Sequence, residues 1–393
     1  MASYDYLIVG GGMTADAAAR GIRERDSKGT IGIIGADPHP PYNRPPLTKG
    51  LWKGDAPDSI WRKTDEAGVE LHLGRRARTV DAASGRVGDD RGAVHEYRRL
   101  LLATGGEPRR LPNAPEGVIY FRTLDDYRAA RQLADRGAGF VVIGGGFIGA
   151  EIAAALRMQG REVTMVVPGQ GLGGRVFPAA LSGFLVDYYR ERGVRMLVGE
   201  SAERVEGRDG RFVVHAQRTG AVATDAVIAG LGIVPNVELA RQAGLAVSDG
   251  IEVDARLRTS RPEIYAAGDV AQFPSPALGK RTRVEHEDNA NTMGKVAGQN
   301  MAGADQPYEH LPFFYSDLFD LGYEAVGDVD ARHETVVDWK TEFREGVIYY
   351  LDGGRVRGVL LWNTWEQVDA ARALIAEPGP FRPEQLKGRL PAK

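Results

Sequence analysis

Residues 140–167 read FVVIGGGFIGAEIAAALRMQGREVTMVV. The opening run Phe140–Ile143 is short, apolar and β-branched, which suits a parallel strand buried on both faces. Gly144-Gly145-Gly146-Phe147-Ile148-Gly149 follows it and fits G-x-G-x-x-G. Ala150–Met158 then reads as a helix, Gly160 ends it, and Glu162–Val167 reads as the next strand. In such a unit the first glycine makes the tight turn and the second lets the backbone approach a pyrophosphate. The third lets helix and strand pack closely, while the helix N-terminus faces the phosphates. The stretch therefore predicts a dinucleotide-binding βαβ unit.

The same pattern stands at the start of the chain. Tyr4–Val9 reads as a strand, Gly10-Gly11-Gly12-Met13-Thr14-Ala15 fits G-x-G-x-x-A, and an Ala-rich helix runs to about Arg25. The strand Thr30–Ile34 completes the unit. Two fingerprints in the right context are far more specific than one. The acid that usually meets the ribose hydroxyls is displaced by about one residue, which makes Asp37 the candidate. Two further strand ends carry signals: Arg99–Ala103 running into Thr104-Gly105-Gly106, and Glu263–Ala267 running into Gly268-Asp269. Asp269 taken alone reads as a helix N-cap. In this company it reads as an acceptor for a polyol such as a flavin ribityl chain.

The chain has 393 residues, enough for two or three domains. Its formal net charge of −3 gives no whole-chain attraction to nucleic acid. No apolar run approaches the length of a membrane span, and no export signal precedes the first strand, so the cytoplasm is the expected compartment. Cysteine is absent, which excludes disulfides, thiol catalysis and an iron–sulfur cluster ligated by this chain. Glu285-His286-Glu287-Asp288 is too tightly packed in sequence for all four to converge on one ion, so no metal is expected.

Gly10–Ala15, Ala103–Gly106, Gly144–Gly149 and Thr259–Asp269, in that order, resemble the two-dinucleotide flavoprotein superfamily that includes glutathione reductase. Pro41-Tyr42-Asn43-Arg44-Pro45-Pro46-Leu47-Thr48-Lys49 narrows the resemblance to ferredoxin reductases of oxygenase systems and to apoptosis-inducing factor. Gly230–Asn236 and Arg283–Ala290 match the same group, and the tail, with Leu361-Trp362-Asn363, resembles apoptosis-inducing factor most. The resemblance implies an α/β fold with two Rossmann-like dinucleotide-binding domains, glutathione reductase-like, plus a small C-terminal α+β domain. The FAD domain would be 1–113 and 243–310, the NAD(P) domain 114–242, and the C-terminal domain 311–393. Alternating patterns at Tyr323–Val329, Thr335–Lys340, Gly346–Leu351 and Arg355–Trp362 read as strands of that last part. Thr364–Ile375 follows with a helical pattern, carried by Trp365, Val368, Ala371, Arg372 and Ile375. The superfamily's disulfide reductases use a cysteine pair beside the flavin, and this composition excludes that branch.

The resemblance also implies the site. FAD would be held by Gly10, Gly12, Met13, Thr14, Ala15, Asp37, Arg44, Lys49, Ala77, Ala103, Thr104, Gly105, Gly268, Asp269, Glu285, His286 and Tyr315. NADH or NADPH would be held by Gly144, Gly146, Phe147, Ile148, Gly149, Glu151, Arg175 and Gly232. Hydride passes between the two cofactors, so the protein supplies position, electrostatics and water exclusion and no catalytic triad is sought. Lys49 and Glu151 are the pair expected at the reacting rings. Glu151 alone would read as an acid stabilising a helix N-terminus. Arg44 contacts the FAD on this reading, or else fixes a proline-rich loop. No acid follows Val167 in Pro168–Arg175, so NADPH is permitted where the family suggests NADH.

The expected acceptor is a small acidic electron-transfer protein, ferredoxin or rubredoxin-like. Arg75-Arg76-Ala77-Arg78, Arg98-Arg99, Arg109-Arg110 and Lys280-Arg281-Thr282-Arg283 could supply a positive rim for it, with Arg283 foremost, although such runs are usually solvated faces. One alternative is a slow, apoptosis-inducing-factor-like protein acting as a redox-gated binding module through a long-lived complex of reduced FAD and NAD. Another is an NAD(P)H oxidase or quinone reductase. A monomer and a redox-linked homodimer both fit the sequence.

Overall fold

The computed structural model describes residues 2–390, which fall into two compact units. The first holds the N-terminal stretch up to Arg44 together with Asp58–Glu107 and Val234–Pro312. The second holds Pro45–Pro57, Pro108–Ile233 and the stretch from Phe313 onward.

The first unit is built on a mixed sheet. Four strands run parallel in the order Glu70–Leu73, Ile31–Gly35, Ala2–Val9, Val94–Leu102. Ile8 sits between Ile33 and Leu101, and these side chains are fully buried, as expected of strands covered on both faces. The long strand Val94–Leu102 pairs with Ala2–Val9 along one edge and serves two more partners along the other. Its first half pairs antiparallel with Arg86–Asp89, and its second half pairs parallel with Ile264–Ala266. The strand ends at Val9, Leu102 and Ala266 are therefore brought side by side. Helices Met13–Arg23 and Glu287–Met301 touch backbone to backbone: a Cβ added at Gly294 would stand 2.6 Å from Thr14 O, and one at Gly298 would stand 2.0 Å from Ala18 O.

Asp16, 1% exposed, lies inside the first of these helices. It accepts from Arg62 Nε at 2.8 Å and Thr64 Oγ1 at 2.8 Å. Arg62 also donates to Asn43 Oδ1 at 2.7 Å, and Asn43 N donates to Ile60 O at 2.9 Å. The chain thus leaves this unit after Arg44 and re-enters it at Asp58 with both ends clamped to helix Met13–Arg23.

The second unit opens with a parallel sheet in the order Val194–Val198, Val163–Val167, Phe140–Ile143, Ala226–Ala229. Helix Phe147–Met158 follows the fingerprint turn. An antiparallel ribbon, Ala202–Arg208, Arg211–Ala216 and Gly220–Thr224, extends beyond the sheet. The C-terminal part is a five-stranded antiparallel sheet in the order Phe313–Leu318, Leu321–Gly327, Arg355–Trp362, Glu345–Asp352, Glu334–Thr341. Aromatic rings join the two parts: Phe147 meets Phe314 at 5.1 Å, and Phe177 meets Tyr323 and Trp362 edge-on.

One expected element is shorter than its pattern. The last long helix is Val368–Ala376, not 364–375. Asn363 and Glu366 have φ of 46° and 58°, which break a helix. Thr364 Oγ1 instead donates to Gly346 O and Trp362 O, and Trp365 is 44% exposed rather than on an apolar helix face.

Candidate active site

Each fingerprint has the shape its ligand demands. Gly10 has φ +127°, and a Cβ there would stand 2.0 Å from Ala103 O. No side chain fits, so the turn passes directly beside the neighbouring strand end. A Cβ on Gly12 would meet nothing within 4 Å, so open space faces the start of helix Met13–Arg23. Thr14 and Ala15 are buried behind it. The second fingerprint repeats the arrangement. Gly144 has φ +111° with Gly230 O 2.3 Å from its missing Cβ, Gly146 faces open space, and Gly149 packs on Gly144 O. Two helix N-termini with bare backbone N–H groups and no side-chain cap are suited to the pyrophosphates of two dinucleotides.

Within the first unit the structure gathers most of the residues expected at the flavin. Gly268 lies against Thr14, 2.4 Å from Thr14 Oγ1 to its missing Cβ, which brings the turn Gly268–Val270 and Asp269 to the first cradle. Arg283 links this turn to the next segment, donating to Asp269 O at 3.0 Å and to Glu285 Oε1 at 2.7 Å. His286 is the N-cap residue of helix Glu287–Met301. Thr104 Oγ1 donates to Asn236 O at 2.8 Å, and Asn236 Nδ2 donates to Thr104 O at 2.9 Å. Asn236 was not singled out from sequence, yet it fixes the strand end beside Gly10. Asp37 accepts from His39 N at 3.1 Å and from Tyr42 OH at 2.9 Å, and the Arg44 guanidinium lies 5.7 Å from the Tyr42 ring centroid. Ala77 is a buried residue of strand Ala77–Asp81, opposite Asp89.

The second unit contains the expected pair. Glu151 sits in helix Phe147–Met158, 4% exposed. Its carboxylate accepts from Lys49 Nζ at 2.6 Å, Thr48 Oγ1 at 2.5 Å and Ser316 Oγ at 2.6 Å. This geometry is a buried ion pair with further hydroxyl donors, not a solvent-facing first-turn acid. Lys49 is carried on the excursion Pro45–Pro57. That segment is pinned at Trp52, whose Nε1 donates to Leu47 O and whose O accepts from Gln159 Nε2 at 2.8 Å. The Lys49 ammonium lies 5.1 Å from the Tyr315 ring centroid, and its side chain is 12% exposed. Thr48 and Ser316 escaped the sequence reading because a single hydroxyl carries no pattern. Phe147 packs into the aromatic cluster, Ile148 is exposed, and Gly232 (φ +79°) lies in the open loop after Ala226–Ala229. Arg175 is exposed.

Arg283 is a correction. Expected foremost among rim cations, it is 11% exposed and held between Asp249 and Glu285. Its guanidinium is turned to these two carboxylates rather than presented as an exposed rim cation. Among the described residues no group of three or more His, Asp or Glu could hold a metal.

Burial pushes the His286 imidazole down to about 4, against the pull of Asp269 and Asp288. The folded protein therefore holds it neutral where an unfolded chain, near 6.5, binds the proton. The stability contributed is fully present above about pH 6.5 and is lost as pH falls through the folded value near 4. His286→Gln is expected to flatten the fall in melting temperature between those limits, by an amount equivalent to about 3 kcal/mol. Thermal unfolding of both proteins across that range checks it, and parallel curves would remove His286 as the cause.

The comparisons agree with this geometry. The family described as pyridine nucleotide-disulphide oxidoreductase matches residues 4–294, and the C-terminal family of apoptosis-inducing factor matches 297–341. The ferredoxin–NAD(+) reductase component of an anthranilate 1,2-dioxygenase system from Burkholderia cepacia is 35% identical, over 98% of this chain and 97% of its own. A mitochondrial apoptosis-inducing factor from Dictyostelium discoideum is 32% identical, over 95% of this chain and 78% of its own. Among solved structures, the ferredoxin reductase of the CYP199A2 system from Rhodopseudomonas palustris superimposes with TM-score 0.89 at 31% identity, covering 97% of this chain and 96% of its own. The covalent putidaredoxin reductase–putidaredoxin complex gives 0.90 at 30% identity, covering 98% and 96%. Fold, cradles and comparisons converge: the chain belongs to the pyridine nucleotide-disulphide oxidoreductase family and is an FAD-dependent NAD(P)H oxidoreductase without a redox disulfide.

Proposed function

We propose that this chain is the reductase of an electron-transfer system, taking electrons from a nicotinamide dinucleotide and delivering them to a small ferredoxin-type protein. When bound, the cofactors supply hydride transfer from nicotinamide C4 to flavin N5. The protein's residues do the rest. Gly10–Ala15, Asp37, Arg44, Ala77, Ala103–Gly105, Gly268, Asp269, Glu285, His286 and Tyr315 would hold FAD. Gly144–Gly149, Gly232 and Arg175 would hold the nicotinamide nucleotide. Lys49 would place a fixed positive charge at the reacting rings, and Glu151 would hold and orient that ammonium with help from Thr48 and Ser316. The three-part division into an FAD domain, an NAD(P) domain and a C-terminal domain belongs to the same proposal, as does a cytoplasmic location.

The observation that carries the reading is the buried Lys49–Glu151 pair, at 2.6 Å and with two hydroxyl donors on the carboxylate. Relatives named as reductase components of oxygenase systems supply the acceptor class. The match of 297–341 to the apoptosis-inducing-factor C-terminal family supports a second reading, a slow protein that stays reduced and acts by binding. Against it, the turn between strands Glu334–Thr341 and Glu345–Asp352 has only three residues. Anaerobic rapid mixing with NADH or NADPH, then with a ferredoxin or with oxygen, separates the two. Fast bleaching of the flavin band and fast reoxidation by ferredoxin is the expected result. Slow bleaching with an air-stable long-wavelength band would favour the binding module.

A further inference from the structure

We infer that the preferred nicotinamide substrate is the 2′-phosphorylated one, NADPH, and that Arg218 with Gln170 forms its 2′-phosphate site. This deepens the proposed function and rests on reading Gly144–Gly149 as the nicotinamide-nucleotide cradle.

In a βαβ unit of this kind the adenosine ribose lies at the end of the second strand. An acid there accepts from the 2′-hydroxyl of NAD, whereas a cation there takes the 2′-phosphate of NADP. The second strand is Val163–Val167, and it runs into exposed Pro168, Gly169 and Gln170 with no acid up to Arg175. The fold does bring one carboxylate to this end, Glu200, whose N donates to Val167 O at 3.1 Å. Glu200 is 6% exposed and turned inward. Its Oε1 accepts from Thr219 Oγ1 at 2.6 Å, and its Oε2 accepts from Arg218 N at 3.1 Å and Thr219 N at 2.9 Å. Those donors hold it ionised, below the usual carboxylate range, and commit it to the turn. It is not placed to accept from a ribose diol.

The turn that engages Glu200 delivers Arg218. This residue follows strand Arg211–Ala216 and lies 48 positions beyond Gln170 in sequence, out of reach of any local pattern. Its Nη2 donates to Val198 O at 2.8 Å, anchoring the exposed guanidinium at the neighbouring strand end. Gly199 (φ +69°) leaves the room: a Cβ there would stand 3.0 Å from Arg218 Nη2 and 3.2 Å from Gln170 Nε2. Guanidinium and amide thus converge on one point beside Val198. Gly199 N, donating to Gly169 O at 2.9 Å, ties that point to the loop after Val167. A second cation stands at the far end of the loop. Gly173 N donates to Gly145 O at 2.8 Å, so exposed Arg175 starts two residues from the fingerprint turn. The strand end therefore offers donors and positive charge and withholds the acceptor a 2′-hydroxyl needs. A guanidinium pairs with a phosphate through parallel N–H···O bonds, and an amide N–H adds a third.

The test is calorimetric titration of the flavin-loaded protein with adenosine 2′,5′-bisphosphate and with 5′-AMP, which differ only in the 2′-phosphate. The bisphosphate is expected to bind about tenfold to a hundredfold more tightly, the range of one or two charge-assisted hydrogen bonds. The gain should shrink as salt rises. Arg218→Ala should remove most of the gain and leave 5′-AMP unchanged, Arg218→Lys should restore part of it, and Gln170→Glu should abolish or reverse it. Equal or weaker binding of the bisphosphate overturns the inference. So does an Arg218→Ala variant that weakens both nucleotides alike, since that marks a structural role. If neither nucleotide binds, the cradle reading itself fails, a result distinct from equal binding.

Discussion

Lys49→Ala slows reduction of the bound flavin by NADH or NADPH by about 10²–10³-fold, the loss typical of removing one preorganised charge or donor from a reacting centre. The effect is electrostatic. The ammonium is 12% exposed and fixed by a 2.6 Å contact to a carboxylate that is itself nearly dry. A charge so held costs no reorganisation when charge develops beside it, and low exposure keeps water from screening it. Rapid mixing under anaerobic conditions reads the rate directly. Dithionite reduction of the same variant shows that the flavin is intact. Glu151→Ala adds a second reading. It leaves a desolvated ammonium, Thr48 Oγ1 and Ser316 Oγ without their shared acceptor, so it should destabilise the fold by about 3–5 kcal/mol as well as slow reduction. Glu151→Gln preserves volume and an acceptor, and should fold better while remaining slow. Wild-type reduction rates in Lys49→Ala would take this lysine out of the mechanism.

Legibility in the sequence follows the range of the interactions. Both glycine-rich turns could be read because strand, turn and helix are contiguous: Gly10 and Gly144 answer to the neighbouring strand end, and Gly12 and Gly146 to the open space before their helices. Lys49 and Glu151, 102 residues apart, became a pair only through resemblance. Nothing local distinguishes Glu151 from any acid near a helix start. Their supporting donors were illegible: Ser316 reaches Glu151 across 165 residues and Asn236 reaches Thr104 across 132. Arg218 is the same case, since a turn between two strands of a ribbon carries no signal that it folds back on a distant strand end. The errors have physical causes too. Apolar spacing at 364–375 suggested a helix, but left-handed backbone at Asn363 and Glu366 delays it to Val368. Arg283 read as a surface cation because one of its two partners, Asp249, lies 34 residues away, and nothing local shows that Glu285 pairs with it.

Gly146→Ala should leave the fold intact and weaken nicotinamide-nucleotide binding by at least about a hundredfold. At most fingerprint positions a substitution confounds folding with binding. Gly144→Ala is such a case: at φ +111° with Gly230 O 2.3 Å from the new Cβ, it must strain the backbone and push the two strand ends apart. Strain and overpacking each cost about 1–3 kcal/mol, so lost activity there would say little about the ligand. Gly146 differs. Its φ of −82° is open to any residue, and a Cβ there meets no protein atom within 4 Å. The methyl would enter only the space before the first turn of helix Phe147–Met158, where the unpaired N–H groups point. If a pyrophosphate lies there in van der Waals contact with the backbone, the methyl displaces it and lengthens its hydrogen bonds, and the loss of two or more charge-assisted bonds gives the stated factor. The variant should therefore melt within about a degree of the parent without nucleotide, retain its flavin, and accept electrons from dithionite but not from NADPH or NADH. Retained affinity for 5′-AMP and NADPH in Gly146→Ala would mean that the open space before this helix is not where the second dinucleotide sits. Loss of flavin in the same variant would mean that the two cradles are not independent.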